Sequence, residues 1–343
     1  MKNKSKTTIK DIANVLNITP SAVSRALHNH PRISDKTKAA VKKVARELDY
    51  QPNHLASALR SGKSKLVGII VAKTNSYFFS SVVENIEYEL NKKGYNLIIT
   101  QSNESFDKEC RNIDALLQTQ VDGIIASLAN ETVTFDHYNK IKEKGIPLVL
   151  FDRGENDIGV DYIGIDDYQS SNIVVSHLVE QGCKRIAHIA GYSHTRIYKN
   201  RIRGYRDALK KHELPEDEAL LLESSLTIED GREKMEQLLK LPELPDAVYA
   251  AGDYAALGAL QVLQEHNIKV PEQIALVGFS NEPFTSLVSP SISSIYQHNK
   301  EIGRLVAKQF LLRVNDKNYK PVLHKTILEP ELIIRDSSRR KHN

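Results

Sequence analysis

The spacing of apolar side chains changes character once along the chain. Through the first fifty residues they recur every three or four positions, the period of a helix with one buried face. Ile12, Val15 and Leu16 form the first such stripe, opened by Thr8 as a cap with Asp11 three residues on. Thr19-Pro20 is a cap and first-turn pair, followed by Val23, Ala26 and Leu27. Ser34 caps a third stripe of Val41, Val44, Ala45 and Leu48. Only Asn17 and Ile18 separate Leu16 from the Thr19 cap, which is the tight connection of a helix-turn-helix.

Tyr50-Gln51-Pro52 ends the third helix, and a short helical pattern over 53–59 leads into the polar stretch Ser61-Gly62-Lys63-Ser64. From Leu66 the apolar residues gather into short continuous runs separated by amphipathic stretches. One series occupies 66–72, 96–100, 122–127 and 147–151; a second occupies 162–165, 185–191, 219–224, 246–252 and 273–279. A spacing of about 25 residues predicts parallel βαβ units. Two doubly wound α/β halves are expected, with a crevice between them lined by loops at the carboxyl ends of the strands. Beyond Pro290, the run SISSIY, a helix near 299–315 and strands near 322–334 are expected to cross back and complete both sheets. The expected domains are a head over 1–51, a hinge helix and linker over 52–64, a first core lobe from 65–163 plus 297–328, and a second from 164–296 plus 329–343.

The 343 residues are 41% hydrophobic and 26% charged, enough apolar content to build substantial cores. The net charge of +4 conceals an asymmetry. Residues 1–65 carry 14 Lys and Arg against four acids, a net of +10, and the remainder is net −6. A polyanion partner is therefore expected for the head alone. The opening MKNKSKTTIKDIANVL is too polar for a signal peptide, and no apolar run approaches the roughly 18 to 20 residues of a membrane span, so a cytoplasmic protein without membrane contact is expected. Cys110 and Cys183 lie far apart with no Cys/His clustering, which argues against a disulfide framework or a zinc site; no metal or cofactor is expected. Nor is an enzyme, because no G-x-S-x-G, H-E-x-x-H or G-x-G-x-x-G motif occurs. Gly62-Lys63-Ser64 resembles the end of a phosphate-binding loop, but Ser57 stands where its first Gly belongs and no strand precedes it.

The second helix of a helix-turn-helix lays its N-terminal part in the major groove. Here Pro20, Ser21 and Arg25 project from one side of it, with Ser24 beside them. Arg25 is the strongest base reader, since its fork matches guanine O6 and N7; the alternative is a solvated surface charge. Thr19, Ser34, Thr37 and Lys38 sit at helix starts, where amides and hydroxyls suit phosphate, and Thr8, the cap of the first helix, is also expected among the DNA-binding residues. Capping alone is the other reading of Thr19 and Ser34, and it is compatible with phosphate contact.

The run TIKDIANVLNITPSAVSRALHNHPRISDKTKAAVKKVARELDYQPNHLASALRSGKS resembles the DNA-binding head and hinge of the lactose-repressor (LacI/GalR) family of bacterial transcription regulators, without gaps from Thr8 to Leu59. The resemblance continues to about Arg335. It implies an α/β chain: a three-helix head with a hinge helix, then a two-lobed, periplasmic-binding-protein-like core of doubly wound parallel sheets. It further implies a homodimer whose heads read the half-sites of a palindromic double-stranded DNA operator. Paired hinge helices from Asn53 to Leu59 would enter the minor groove, Leu59 wedging between base pairs; ordinary hinge packing is the alternative for Leu59.

In the core, the resemblance implies a sugar or sugar-derivative effector between the lobes. Asn75, Tyr77 and Phe78 match the first effector loop, Asp152 and Arg153 a D-R pair after the fourth strand, and Arg201 the effector-binding arginine. Asp253 fits the aspartate of N-D-x-x-A-x-G, although Gly252 replaces the Asn. Helix capping is the alternative for Asp152 and Asp253, and core packing for Phe78. In VGFSNEPF, Ser280 and Asn281 stand where the family has D-D or D-N. Loss of a carboxylate at Ser280 leaves room for a sugar acid or sugar phosphate beside a neutral sugar. The function implied is a repressor of carbohydrate-utilisation genes; an activator or a corepressed regulator shares the architecture, and a transport-type binding protein shares the core without the basic head. The polar stretch from Asp336 lacks the apolar heptads of the tetramerising helix found in some family members.

Overall fold

The computed structural model describes residues 7–50, 62–155, 158–315 and 323–340. The chain divides into two compact units, Met1–Ser64 and Lys65–Asn343. In the first, α1 (Ile9–Leu16), α2 (Pro20–Leu27) and α3 (Asp35–Glu47) pack around Ile12, Ala13, Val23, Ala26, Val41, Val44 and Ala45. The caps follow the sequence pattern. Thr8 and Asp11 close a capping box, while the Thr19 and Ser34 hydroxyls accept from the amides of Ala22 and Thr37, both at 3.2 Å. Asn17, left-handed at φ 51°, ends α1 and turns the chain toward α2. Val15 corrects the expected stripe, for it is 60% exposed. Ile9 and Ala13 also turn inward, and at 100° per residue they move the centre of the buried face away from Val15.

The second unit holds two six-stranded sheets. The strands are β1 (Leu66–Val71), β2 (Asn96–Gln101), β3 (Gly123–Ala126), β4 (Leu148–Phe151), β5 (Asp161–Ile165), β6 (Ile186–Ala190), β7 (Leu221–Glu223), β8 (Ala247–Ala250), β9 (Ala275–Phe279), β10 (Ser293–Tyr296), β11 (Lys325–Leu328) and β12 (Glu331–Ile333). The first sheet runs β2-β1-β3-β4-β5-β11, all parallel; the second runs β7-β6-β8-β9-β10-β12, parallel except for β12 against β10. Parallel strands need a return helix on a face, so both faces of each sheet are covered. In the first lobe α4 (Tyr77–Asn91) and α11 (Asn299–Asn315) pack together on one face, with α5 (Phe106–Gln118) and α6 (Asp136–Glu143) on the other. In the second, α7 (Asp167–Glu180) and α8 (Arg196–Lys211) lie opposite α9 (Ile228–Leu238) and α10 (Asp253–Glu265).

The chain passes between the lobes after β5, after β10 and between β11 and β12. The run at 162–165, expected to open the second series, instead pairs with β4 and β11 in the first sheet, and the expected break at 163/164 falls inside it. Periodicity alone cannot separate these assignments, because β5 is as apolar as any other strand. The polar segment after Arg335 docks on the second lobe: Leu276 donates to the Ser337 carbonyl at 2.8 Å, and Ser337 and Ser338 are fully buried.

Helices α9 and α10 approach closely through glycines on both sides. A Cβ on Gly258 would fall 2.1 Å from the Ile228 carbonyl oxygen, and one on Gly231 equally near that of Ala255. Gly258→Ala should therefore push the pair apart and destabilise the chain by about 1–3 kcal/mol, seen as a lowered unfolding midpoint with an unchanged denaturant slope.

Candidate DNA-reading face and effector cleft

In the head, the cap residue Thr19, Pro20 and Ser21 at the start of α2 and Arg25 in its last turn are exposed, while Val23 and Ala26 point into the core. Ser24 is half-buried, and its carbonyl oxygen lies 2.7 Å from His28 Nδ1. Ser34 and Thr37 share a hydroxyl–hydroxyl hydrogen bond of 2.9 Å at the start of α3. Thr8 stands apart. Its amide and hydroxyl both donate to Asp11 Oδ2, at 2.7 and 2.8 Å, and these bonds hold the Asp11 carboxyl below its ordinary value. A carboxylate there occupies the place a phosphate would take, so this helix start is less suited to phosphate than those of α2 and α3. Asn53 and Leu59 lie outside the described residues.

In the core, a cavity of about 270 Å³ lies between the lobes. Its walls are the loops that follow β1, β2, β3 and β4 on one side and β6, β7, β8 and β9 on the other. Asn75, Phe78, Asp152, Arg153, Arg201, Asp253 and Ser280 all line it. Tyr77 and Asn281 do not. Tyr77 opens α4 with its ring 41% exposed, and Asn281 Oδ1 accepts from Arg335 at 2.6 Å. Phe78 is at once core and wall: it is 3% exposed and meets Phe79 edge-on at 5.2 Å.

Two buried guanidinium groups dominate the cleft. Arg201, 4% exposed, donates through Nε to Asp167 Oδ1 at 2.8 Å and through Nη1 to the Ala251 carbonyl at 3.1 Å, with its plane 3.4 Å from the Phe279 ring centroid. Arg153 donates through Nη1 to Glu104 Oε2 at 2.5 Å. Burial is the largest influence on both and works against their charge, but Glu104, Tyr198 and Asp152 around Arg153, and Asp167, Tyr249 and Tyr198 around Arg201, together outweigh it and keep them protonated. Asp167 is pushed up to about 6 by burial despite Arg201; burial also acts on Glu104, but Arg153 holds that carboxyl below its ordinary value. The loop bearing Asn130 is pinned from beneath. Glu109, fully buried, accepts from the Ala129 amide at 2.6 Å, and Glu104 accepts from the Asn130 amide at 2.9 Å. Asn130 Oδ1 and Arg153 Nε are buried with no hydrogen-bond partner among the described residues, Asp152 Oδ2 lying 4.0 Å from Arg153 Nε, and both residues line the cavity.

Asp253 opens α10 and anchors a turn. Its Oδ2 accepts from the Glu282 amide and its Oδ1 from the Ser294 hydroxyl, both at 2.7 Å. Ser280 and Asn281 in that turn have positive φ, 107° and 51°, as does Asp152 at 57°. Such strained non-glycine residues gather at binding sites. Sequence reasoning missed Glu104, Asn130, Asp167 and Glu282, all of which line the cavity or, for Asp167, pair with a residue that does. A signal was available, since Glu104, Asn130 and Asp167 each follow closely on a strand's carboxyl end. Among the described residues no helix is long and apolar enough to cross a membrane, and no group of three metal-ligating side chains occurs.

The model for bacterial regulatory proteins of the lacI family matches residues 8–53, and the periplasmic binding protein-like domain matches 175–338. The chain is 31% identical over 339 residues to the transcriptional repressor CytR of Escherichia coli K12, covering 98% of each chain. Among solved structures it resembles a regulator CelR–cellobiose complex (27% identity, TM-score 0.73, 97% of this chain and 100% of that one). It shares the fold of the lac repressor dimer bound to operator and an anti-inducer (21% identity, TM-score 0.86, 97% of this chain and 99% of that one).

Burial pushes the Asp253 carboxyl up to about 7, against the hydrogen bonds from Glu282 and Ser294. The folded chain thus keeps a proton that the unfolded chain releases near 3.8. The stability from this proton is fully present below that lower value and is lost as pH rises through the higher one. Wild type should therefore lose stability relative to Asp253→Asn as the pH is raised from about 4 to about 8, measured by paired thermal unfolding.

Proposed function

We propose, given that this chain belongs to the lacI family of bacterial regulatory proteins, that it is a cytoplasmic homodimeric repressor of carbohydrate-utilisation genes. It binds a two-fold-symmetric operator through Arg25 and its neighbours on α2 and α3, and an uncharged, polyhydroxylated sugar in the cleft governs its release. The chain is a transcriptional regulator with a DNA-binding domain and an effector-binding core; operator symmetry, direction of control and effector class are the parts proposed.

The observation that carries the effector class is the charge balance of the cleft. Arg201 is already matched by the buried Asp167 and Arg153 by the half-buried Glu104, and Asp152, Glu229, Asp253 and Glu282 outnumber Lys73, the remaining cation of the lining. An anionic effector would displace an existing ion pair and meet these acids; a neutral sugar need not. Asn130 Oδ1 asks for a donor and Arg153 Nε for an acceptor, and a hydroxyl is both. Phe78 and Tyr198 supply apolar ring surface of the kind that packs on a sugar's C–H face. The carboxylate absent at Ser280 is supplied two residues later by Glu282, which weakens the case for a sugar acid or phosphate. For the head, the net charge of +10 supplies salt-dependent attraction, with log affinity falling by roughly 0.9 per phosphate contact per log unit of salt.

Selection of bound sequences from a random double-stranded DNA pool, followed by thermal-shift screening of neutral, acidic and phosphorylated sugars, tests both halves. A two-fold-symmetric site and stabilisation by neutral sugars are expected; stabilisation confined to acids or phosphates would sink the neutral-sugar reading. Arg25→Ala should lose about 1–3 kcal/mol of discrimination for the selected site while nonspecific binding persists, as read by competition titration. Arg201→Lys keeps a cation for Asp167 but removes the fork. It should bind the selected DNA like wild type yet no longer respond to the sugar; an intact response would show that the pocket lies elsewhere.

A further inference from the structure

The cavity contains one carboxylate that belongs to both lobes at once. Glu282 lies in the loop after β9 of the second lobe and is 4% exposed. Its Oε1 accepts from the Ser76 hydroxyl at 3.1 Å and its Oε2 from the Tyr77 amide at 3.2 Å, and the neighbouring Phe78 amide also favours the ionised carboxylate. These three residues are the cap and first turn of α4 in the first lobe. Ser76 occupies the cap position, yet its hydroxyl makes no bond back onto its own helix; it reaches across the cleft instead. The other lobe therefore supplies the cap, and a carboxylate is the favoured group at the positive end of a fifteen-residue helix.

The Glu282 side is held as firmly. Its amide donates to Asp253 Oδ2, Asp253 Oδ1 accepts from Ser294, and the positive φ of Ser280 and Asn281 turns the next side chain toward the cavity. A continuous chain of hydrogen bonds thus runs from β10 through Asp253 and Glu282 to the start of α4. At its far side α4 packs along α11, the helix that enters the first lobe from the second crossover. A second contact closes the same cleft, where His194 Nε2 lies 2.6 Å from the Asn130 carbonyl oxygen.

Glu282 also lines the cavity, beside Ser280 and Gln297, which are joined at 3.0 Å. An ionised carboxylate has about four lone-pair sites, and the start of α4 uses two of them in hydrogen bonds. At least one remains for a hydroxyl entering the cavity. We propose that Glu282 is the positioning residue that links the occupant of the cleft to the angle between the lobes: it holds α4 in the closed arrangement and offers a remaining acceptor site to the effector. The proposal rests on reading the cleft as the effector site, but the clasp itself can be measured without any effector.

The test uses the full-length chain with Glu282→Gln, Ser76→Ala and the double variant. In Glu282→Gln an amide N–H₂ replaces one acceptor and faces the donors of α4. Hydrogen exchange at Tyr77 and Phe78 should accelerate at least tenfold in Glu282→Gln, while exchange in β8 stays as in wild type. Unchanged exchange at α4 overturns the clasp. Affinity for the DNA recovered by random selection, measured without effector, should shift at least fivefold in Glu282→Gln, the low end of allosteric couplings. The double variant should shift no further than Glu282→Gln alone. Equal affinity in Glu282→Gln and wild type overturns the link to DNA, and additive shifts overturn the route through α4. Should Glu282→Gln not fold, Ser76→Ala alone is read by the same two measurements, with faster exchange at α4 and altered affinity expected and wild-type values overturning the proposal. Should selection recover no DNA, the regulatory reading fails, and the exchange arm still decides the clasp.

Discussion

A parallel strand can be followed by another only if a helix carries the chain back over a face of the sheet, and this constraint organises the whole core. It places the carboxyl ends of all the parallel strands of a sheet on one edge, with the connecting loops that leave it, β12 alone running the other way. Two such sheets, joined by three crossovers after β5, after β10 and between β11 and β12, turn those edges toward each other. The cleft is the result, with walls made of loops freed from ladder pairing. Residues in those loops can take positive φ, as Asp152, Ser280 and Asn281 do, and can aim polar side chains inward without breaking a sheet.

Loops alone would not hold charge in so enclosed a place. Removing an ion from water costs several kcal/mol, so a buried guanidinium persists only beside a carboxylate within ion-pair reach. Arg201 has Asp167 and Arg153 has Glu104. These partners come from the start of α7 and the loop after β2, and Glu104 also receives the Asn130 amide. The electrostatics of the cleft and the position of its hydroxyl-seeking atoms are thus one arrangement. Arg153, Arg201 and Phe78 were legible in the sequence because the family motif marks them. Asp167 and Glu104 were not, because each lies tens of residues from its partner and no local pattern links them.

The turn after β9 shows how much a motif leaves to the backbone around it. Ser280 does stand where a carboxylate is common, and it does line the cavity. But two consecutive left-handed residues rotate the following side chains, so that Asn281 turns away to Arg335 and Glu282 turns in. The negative charge inferred to be missing is present two positions on, tied to the opposite lobe.

Helix starts, turn chemistry, strand positions and the opposite charges of head and body were all readable from the residues, because each arises from interactions spanning a few neighbours: a hydroxyl capping an amide three residues on, a strand's apolar run, the sum of charges in a segment. Three-dimensional packing was needed wherever the answer depends on residues distant in the chain. It put Val15 outside because Ile9 and Ala13 shifted the buried face, and it joined β5 to the first sheet because β4 and β11 offered it edges. It made Glu282 a bond between lobes because the first turn of α4, some two hundred residues earlier, came to rest within hydrogen-bonding reach.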